Sequence, residues 1–426
     1  DVCSSDLAAE EALAKAEADV ISNAIKAIDA IGKVAADSKD KIEKAKDAYS
    51  AVPERLRDKV TNSDTLDKAT ERFAVIDTIK QAGTKSKDHF DTVLGTLADN
   101  EIYPVQSIGG EWSVIALARA GKLSADKAAK YYSELCEAVK ANGSDRLSDR
   151  KPTENARVII ALSSLGKNSA DIAGYNLLSG LDDMDYITSQ GINAVIFSLI
   201  AFDTTDYSAK THDELIAYIV DNMTGKGWAL AGDTADVDLT AMAIQALAPY
   251  AADKKVNAAI DSGLEFLAES LDENARYANG SESTSQVLIA LAALGIDPLT
   301  DSRFIVDGIT LIDALESYAT ENGYSHTLGG EENYMATEQA ALALTAYELS
   351  KDGSSLYEMS AKAEPTEPEN PDTPAQPGDS VKPGDCSGKP EDKNDPINPG
   401  TGVLVTGGMA VLISGAVMLV SKKKRK

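Results

Sequence analysis

The sequence of 426 residues has few basic and few aromatic side chains for its length. It holds 41 Lys and Arg against 68 Asp and Glu, which gives a formal net charge of −27. Nucleic-acid binding needs clustered Lys and Arg against phosphate, so this balance argues against a nucleic-acid partner. The same excess of negative charge disfavours docking on anionic lipid surfaces.

Cysteine and histidine are also scarce. The three cysteines, Cys3, Cys136 and Cys386, lie far apart and have no paired spacing. A chain of this size therefore relies on its hydrophobic core rather than on the disulfide framework of small secreted scaffolds. No spacing of Cys with the three His predicts a zinc site, and we expect neither a metal nor a cofactor.

The last part of the chain predicts a membrane segment. Residues 403–421 contain no charged side chain, and residues 422–426 are all Lys or Arg. As a helix, residues 403–420 would span about 27 Å, enough to cross the hydrocarbon core of a bilayer. The basic end would lie on the cytoplasmic side.

A short motif stands directly before that segment. Asn398, Pro399, Gly400, Thr401 and Gly402 form a sequence that resembles a Gram-positive cell-wall sorting signal, although the commonest motif has Leu where Asn398 stands. The resemblance implies that sortase cuts between Thr401 and Gly402 and links Thr401 to peptidoglycan. The protein would then be exported and attached to the wall, and the segment 403–421 would hold only the precursor in the plasma membrane. A permanent membrane anchor is the alternative, and Asn398 leaves the sortase class open.

The segments outside the central part of the chain have distinct compositions. Residues 1–7 read like a translated sequencing-adapter fragment, so we expect an artefact there and a missing signal peptide. Residues 8–83 show apolar side chains at helical spacing and resemble a small helical spacer module of Gram-positive surface proteins. Residues 363–397 are rich in Pro, Gly and charge and predict a disordered linker. The sorting signal with its membrane segment occupies residues 398–426.

Residues 84–362 contain a repeat of two alternating helix types. Six stretches rich in Ala and Leu align on one Leu, at 112–121, 155–166, 191–202, 239–250, 283–295 and 337–349. A more amphipathic stretch precedes each of them, at 87–98, 125–140, 170–181, 213–223, 254–270 and 304–320. Helices that are apolar all round must be buried, whereas helices with one apolar stripe lie outside. The pattern predicts an all-α fold, an α6/α6 toroid of six inner and six outer helices. A linear helical solenoid is the alternative.

Four segments in these repeats, 236–243, 281–287, 293–298 and 335–340, resemble bacterial surface proteins with prenyltransferase/squalene-cyclase-type repeats. That superfamily includes terpenoid cyclases, prenyltransferase β subunits, thioester domains and transcobalamin-like binders. The resemblance covers about two thirds of the chain and implies the toroid fold, which hosts unrelated activities.

The chemistry of these relatives is incomplete in this sequence. Asp238 matches the acid of the cyclase motif, but Leu239 replaces the final Asp. The prenyltransferase zinc ligands have no counterpart. The segment with Glu338 and Gln339 lacks the thioester Cys. The β-domain of cobalamin binders is missing, so corrinoid binding would be weak.

The amino-terminal ends of the six inner helices are the predicted site. In a toroid these ends converge on one rim, where acidic, aromatic and hydroxyl side chains cluster. The candidate binding residues are Glu111, Glu154, Trp228, Asp236, Asp238, Thr240, Glu282, Thr284, Tyr324, His326, Thr337 and Glu338. Acidic and Thr residues also cap helices and offset the helix dipole, which is the alternative explanation for each of them.

We expect a non-catalytic binding or adhesion module for a small molecule, glycan or partner protein. The alternative is a polysaccharide hydrolase or lyase that uses two carboxylates among Asp238, Glu282 and Glu338, because glycan cleavage needs a carboxylate pair about 5–10 Å apart.

Overall fold

The computed structural model describes residues 2–107 and 109–359, and their regular structure is α-helix with short 3₁₀ turns and no strand. The predicted linker 363–397, the membrane segment 403–421 and the sorting signal lie outside the described residues, as does Asp1 of the predicted artefact. Within the described ranges no helix is both long enough and apolar enough to cross a membrane. The all-α prediction is confirmed.

Contacts divide the described chain into two compact units. Of the described residues, the first comprises those up to Lys87, Leu271–Arg276 and Pro298–Ser317, and the second comprises Asp88–Ser270, Tyr277–Asp297 and those from Tyr318 to Met359. The two short inserts of the first unit fall inside the region 84–362 that the repeats delimit.

The first unit is built on three longer helices, α1 (Val2–Asp29), α2 (Lys39–Ser50) and α3 (Ser63–Gly83), with a 3₁₀ helix at Glu54–Lys59. Their apolar faces meet in a core around Ile28, Ile42 and Leu56. Ser38 is the residue before α2, but its Oγ accepts from the Ala35 amide at 2.9 Å rather than from a helix N–H.

Two basic side chains of α3 attach the inserts within this unit. Arg72 donates to the Asn274 side chain at 2.6 Å and to Asp307 at 3.1 Å. Lys80 donates to Asp313 at 2.7 Å.

The second unit contains α4 (Ser86–Asp99) from Asp88 onward and six largely buried helices that coincide with the six Ala- and Leu-rich stretches. These inner helices are α5 (Glu111–Arg119), α7 (Pro152–Ser164), α10 (Ile192–Asp203), α12 (Val237–Leu247), α14 (Ser281–Ala293) and α16 (Tyr334–Lys351). In α10 every residue from 192 to 202 is buried. Each inner helix contacts the next one in chain order, and α16 also contacts α5, so their contacts form a cycle.

The helices that lie between the inner ones along the chain of this unit include α6 (Ala125–Asn142), α8 (Leu177–Leu181), α9 (Met184–Thr188), α11 (His212–Asp221) and α13 (Lys254–Glu269). Their buried positions recur at helical spacing, as at Val256, Ile260, Leu264 and Leu267 of α13. Within the unit, α8 packs on α7, α11 on α10 and α13 on α12. The inner/outer contrast of the sequence therefore corresponds to a real difference in burial.

Two of the predicted amphipathic helices are much shorter than the sequence suggested. The stretch 170–181 is helical only at α8, and 304–320 is helical mainly at α15 (Leu311–Glu316), which belongs to the first unit. In each case two consecutive residues with positive φ turn the chain before the helix, Ala173-Gly174 and Asp307-Gly308. Type I′ turns require positive φ at both central residues, and Asp-Gly is a strong signal for them. The long helices were therefore wrong.

The Leu on which the repeats align has a structural role at the end of three inner helices. The carbonyl oxygens of Leu117, Leu162 and Leu291 each accept a backbone N–H from the residue five positions later, at 2.8–2.9 Å. The residue directly before each of these N–H donors is a glycine, Gly121, Gly166 or Gly295, with a φ of 64–67°. This is the Schellman motif, which favours Gly at that position and explains why Leu and Gly recur four residues apart.

Two threonines on α16 provide a direct test of the packing. Thr337 Oγ1 accepts the buried backbone N–H of Tyr324 at 2.9 Å, whereas the buried Oγ1 of Thr345 has no hydrogen-bond partner among the described residues. We expect Thr337→Val to lower the free energy of unfolding by about 1–3 kcal/mol, because it leaves that N–H unsatisfied. The matched change Thr345→Val should be neutral or stabilising. Urea unfolding of both variants measures the difference, and equal losses would contradict the assignment.

Candidate functional site

The amino-terminal ends of the inner helices carry most of the predicted site residues, and the structure buries nearly all of them. Glu111, Asp238 and Glu282 lie within the first turns of α5, α12 and α14, and Glu338 is the fifth residue of α16. None of the four is more than 6% exposed. Glu154 in the first turn of α7 is half-buried. Buried carboxylates are stable only when donors or cations neutralise them, so their partners decide what they can do.

The first group is centred on Glu111 and Arg157. Glu111 is fully buried, and its two oxygens accept from the Arg157 Nε at 2.8 Å, the Gln106 amide at 2.6 Å and the Tyr131 hydroxyl at 3.2 Å. Arg157 also donates to Glu154 at 2.7 Å. Burial tends to lower the pKa of Arg157, but the two carboxylates outweigh it and raise the pKa above its usual value. The group joins α5 to α7 as a satisfied ion-pair network.

Glu338 lies beside this group with weaker partners. Its Oε2 accepts from the Gly109 amide at 3.1 Å and the Ser113 hydroxyl at 3.2 Å, and Ser113 in turn contacts the Tyr334 hydroxyl at 3.2 Å. Only 1% of Glu338 is exposed. Burial raises the pKa of Glu338 to about 7, although the two hydrogen bonds and Arg157 oppose the shift. A carboxyl group with this pKa carries a proton for part of the time at neutral pH.

The second group joins α12 to α14 and a loop. Asp238 accepts a hydrogen bond from the Ser283 hydroxyl. Glu282 accepts from His326 Nδ1 at 2.8 Å and from the Ser281 hydroxyl at 3.3 Å. The His326 side chain is 45% exposed, whereas that of Glu282 is only 8% exposed. His326 is therefore the residue of this group that solvent or a ligand can reach most easily.

Several other predicted residues form a repeated structural unit. The backbone N–H of Trp228 donates to Thr240 Oγ1 at 3.0 Å, and that of Tyr324 donates in the same way to Thr337 Oγ1. Both rings are fully buried. Asp236 caps α12 by accepting from the Leu239 amide at 3.0 Å. These contacts attach each loop to the helix that follows it, which favours a structural role over ligand contact.

Thr284 is the remaining predicted residue at this end. It lies in the first turn of α14, and its buried Oγ1 has no hydrogen-bond partner among the described residues.

A further polar group lies at the opposite, carboxyl-terminal ends of the inner helices. Asp203, His212 and Tyr250 contact one another, with Asp203 Oδ1 at 2.9 Å from His212 Nε2 and 2.6 Å from the Tyr250 hydroxyl. A cavity of about 510 Å³ lies beside them and is lined by residues near the carboxyl ends of α10, α12, α14 and α16. The sequence-based site prediction did not include this end.

Three glutamines cross the interior between the two ends. Gln245 Nε2 donates to the side-chain oxygen of Gln286 at 2.9 Å, and Gln286 Nε2 donates to that of Gln339 at 3.0 Å. They connect α12, α14 and α16 through side chains that are 94–97% buried.

The sequence held weak signals for the residues that were missed. Each of the three glutamines lies inside one of the Ala- and Leu-rich stretches, where a polar side chain is expected to be buried and to need a partner. Arg157 stands three residues after Glu154, a spacing at which two helical side chains meet. No comparable signal pairs Asp203 with Tyr250, because the contact depends on how their helices pack.

The comparisons with known proteins found no protein-family model, no curated protein and no solved structure that matches this chain. In the part of the chain that the structure describes, no three His, Cys, Asp or Glu side chains are grouped closely enough to hold a metal ion.

Glu338 gives a pH-dependent prediction. Because its pKa in the folded protein, about 7, exceeds the ordinary value of 4.5, the native state keeps a proton that the unfolded chain loses. Its ionisation therefore costs stability as pH rises from about 4.5 to above 7, by up to roughly 3 kcal/mol. We expect Glu338→Gln to match the wild type near pH 4.5 and to be more stable at pH 8.

Urea unfolding at both pH values measures this difference. Glu137→Gln, an exposed change on α6, controls for the loss of one negative charge. A stability difference between Glu338→Gln and the wild type that does not change with pH would contradict the assignment.

Proposed function

We propose that the protein is a surface protein anchored to a Gram-positive cell wall, and that its repeats form an α6/α6 toroid that acts as a non-catalytic binding module. The ligand would be a small molecule, a glycan or a partner protein. The residues 236–243, 281–287, 293–298 and 335–340 support the family resemblance.

The cycle of contacts among the inner helices supports a closed toroid over a linear solenoid. In a linear array the first and last inner helices, α5 and α16, would lie far apart, but here they are in contact. Closure also provides a partner for every apolar face, which helices of this composition require.

The buried carboxylates are already hydrogen-bonded within the protein, and this favours a binding function over a catalytic one. Glu111, Glu282 and Glu338 each accept hydrogen bonds from at least two donors of the chain itself. Asp238 is bonded to Ser283 and Glu154 to Arg157. A glycan-cleaving pair needs one carboxylate that reaches a water or an anomeric carbon. These carboxylates instead accept hydrogen bonds from side chains and backbone amides of the protein itself.

The attachment to the wall has its support in residues 398–426. In a Gram-positive host, with an export signal fused ahead of Asp1, we expect the full chain to appear in the wall fraction that muramidase releases. Thr401→Val should move it to the membrane fraction, because sortase loses the residue it links. Thr373→Val, in the predicted linker, is the matched control. If both variants divided between the wall and membrane fractions as the wild type does, the result would contradict wall anchoring and favour a permanent membrane anchor.

A panel of wall fragments, oligosaccharides and small molecules tests the binding function. We expect at least one compound to raise the melting temperature of the full chain without a product visible by mass spectrometry. A ligand at 100 times its dissociation constant adds about 2.7 kcal/mol of stability, which is easily measured. A panel with no shift and no product would overturn the proposal.

The hydrolase or lyase alternative has one observation in its favour. Glu338, with its pKa near 7, has the protonation behaviour of a general acid, and Tyr334 and Ser113 provide a hydroxyl path to it. Product release from an oligosaccharide that Glu338→Gln or Asp238→Asn abolishes, with the melting temperature preserved, would replace the binding proposal with this one.

A further inference from the structure

The cavity at the carboxyl-terminal ends of α10, α12, α14 and α16 has the size of a small-molecule site. Its volume of about 510 Å³ lies within the range of roughly 300–1,000 Å³ typical of ligand pockets. Ile200, Ala246, Pro249 and Ala292 provide much of its wall and make it largely apolar. A ligand with a compact apolar body would fit this lining.

Two oxygen atoms of cavity-lining residues have no hydrogen-bond partner among the described residues. They are Oε1 of Gln245 and Oδ2 of Asp203. Gln245 is 3% exposed, and its amide orientation is fixed because Nε2 donates to both oxygens of Gln286, at 2.9 and 3.0 Å. A buried oxygen without a donor costs about 1–3 kcal/mol. Both atoms are acceptors, so the partner that would satisfy them is a donor.

The charge around the cavity has the sign that favours a cation. The carboxyl end of a helix carries a partial negative charge. Four inner helices end beside this cavity. Asp203 adds a carboxylate whose other oxygen already accepts from His212 and Tyr250. Glu358 also lines the cavity, but Arg119 interacts with it electrostatically, so its charge is partly balanced. Asp203 and Gln245 are therefore the lining residues that offer a ligand an acceptor without a partner.

We infer that this cavity binds an organic cation, an amine with an apolar body, whose ammonium donates to Asp203 Oδ2 and Gln245 Oε1. The inference rests on the proposed binding function and adds to it a location and a ligand class. The location differs from the amino-terminal rim that the sequence predicts. An ammonium group offers three donors, and a charged donor to a carboxylate makes a stronger hydrogen bond than a neutral one.

Titration calorimetry of the full chain with three matched probes tests the inference. Phenethylamine carries the ammonium, 2-phenylethanol is its neutral analogue, and 3-phenylpropanoate is an anion of similar size. We expect saturable binding of phenethylamine, about tenfold or more weaker binding of the alcohol, and no binding of the anion. Equal affinity for the amine and the alcohol, or no binding of the amine, would overturn it.

Variants locate the site. Asp203→Asn should weaken phenethylamine binding about tenfold or more, whereas Asp213→Asn, an exposed neighbour that does not line the cavity, should leave it unchanged. Ala293→Leu at the end of α14 adds bulk to the cavity wall while keeping Asp203 in place in the sequence, and it should abolish binding even if Asp203→Asn folds poorly. Binding that survives Ala293→Leu would contradict this location. If the wider panel binds and the amine does not, only this inference fails; if nothing binds, the binding function fails as well.

Discussion

A helix that is apolar on every side can exist in water only when other helices cover all of those sides. The inner helices impose this constraint most strongly at α10, where residues 192–202 are all buried. The packing satisfies this constraint because each inner helix contacts the next one along the chain, and the last, α16, contacts the first, α5. Each inner helix then has another inner helix on both sides, and the outer helices need to cover only the apolar surface that remains.

Polar side chains inside such a core are costly to bury without hydrogen-bond partners, and this explains the arrangement of the buried acids. Glu111 is paired with Arg157, and hydrogen bonds link the glutamines 245, 286 and 339 across neighbouring helices. Each network fixes which helices are adjacent, because a lone member would be a buried group without a partner. The same engagement leaves these acids poorly suited to attack a substrate, which links the packing of the core to the proposed binding role.

The two ends of the inner helices differ in how their acidic side chains are satisfied. At the amino-terminal ends, backbone amides and hydroxyls complete the carboxylates, as at Glu338. At the carboxyl-terminal ends, Asp203 and Gln245 each retain an oxygen without a partner beside a cavity. Sequence patterns favour the first end as a site because acidic residues concentrate there, but acidic residues concentrate at helix starts for dipole reasons as well. A carboxylate oxygen without a partner beside a cavity identifies the second end more directly.

The sequence by itself determined the helical class and the position of the six inner helices, because apolar periodicity depends only on neighbouring residues. It also contained the Leu and Gly pairs that end three of them. It overestimated two outer stretches, where the Ala173-Gly174 and Asp307-Gly308 turns outweighed helical spacing. Only the tertiary structure decided which acids are neutralised and by which partners. Glu111 meets Tyr131, and Asp203 meets Tyr250, through the packing of separate helices, and no local pattern encodes such contacts.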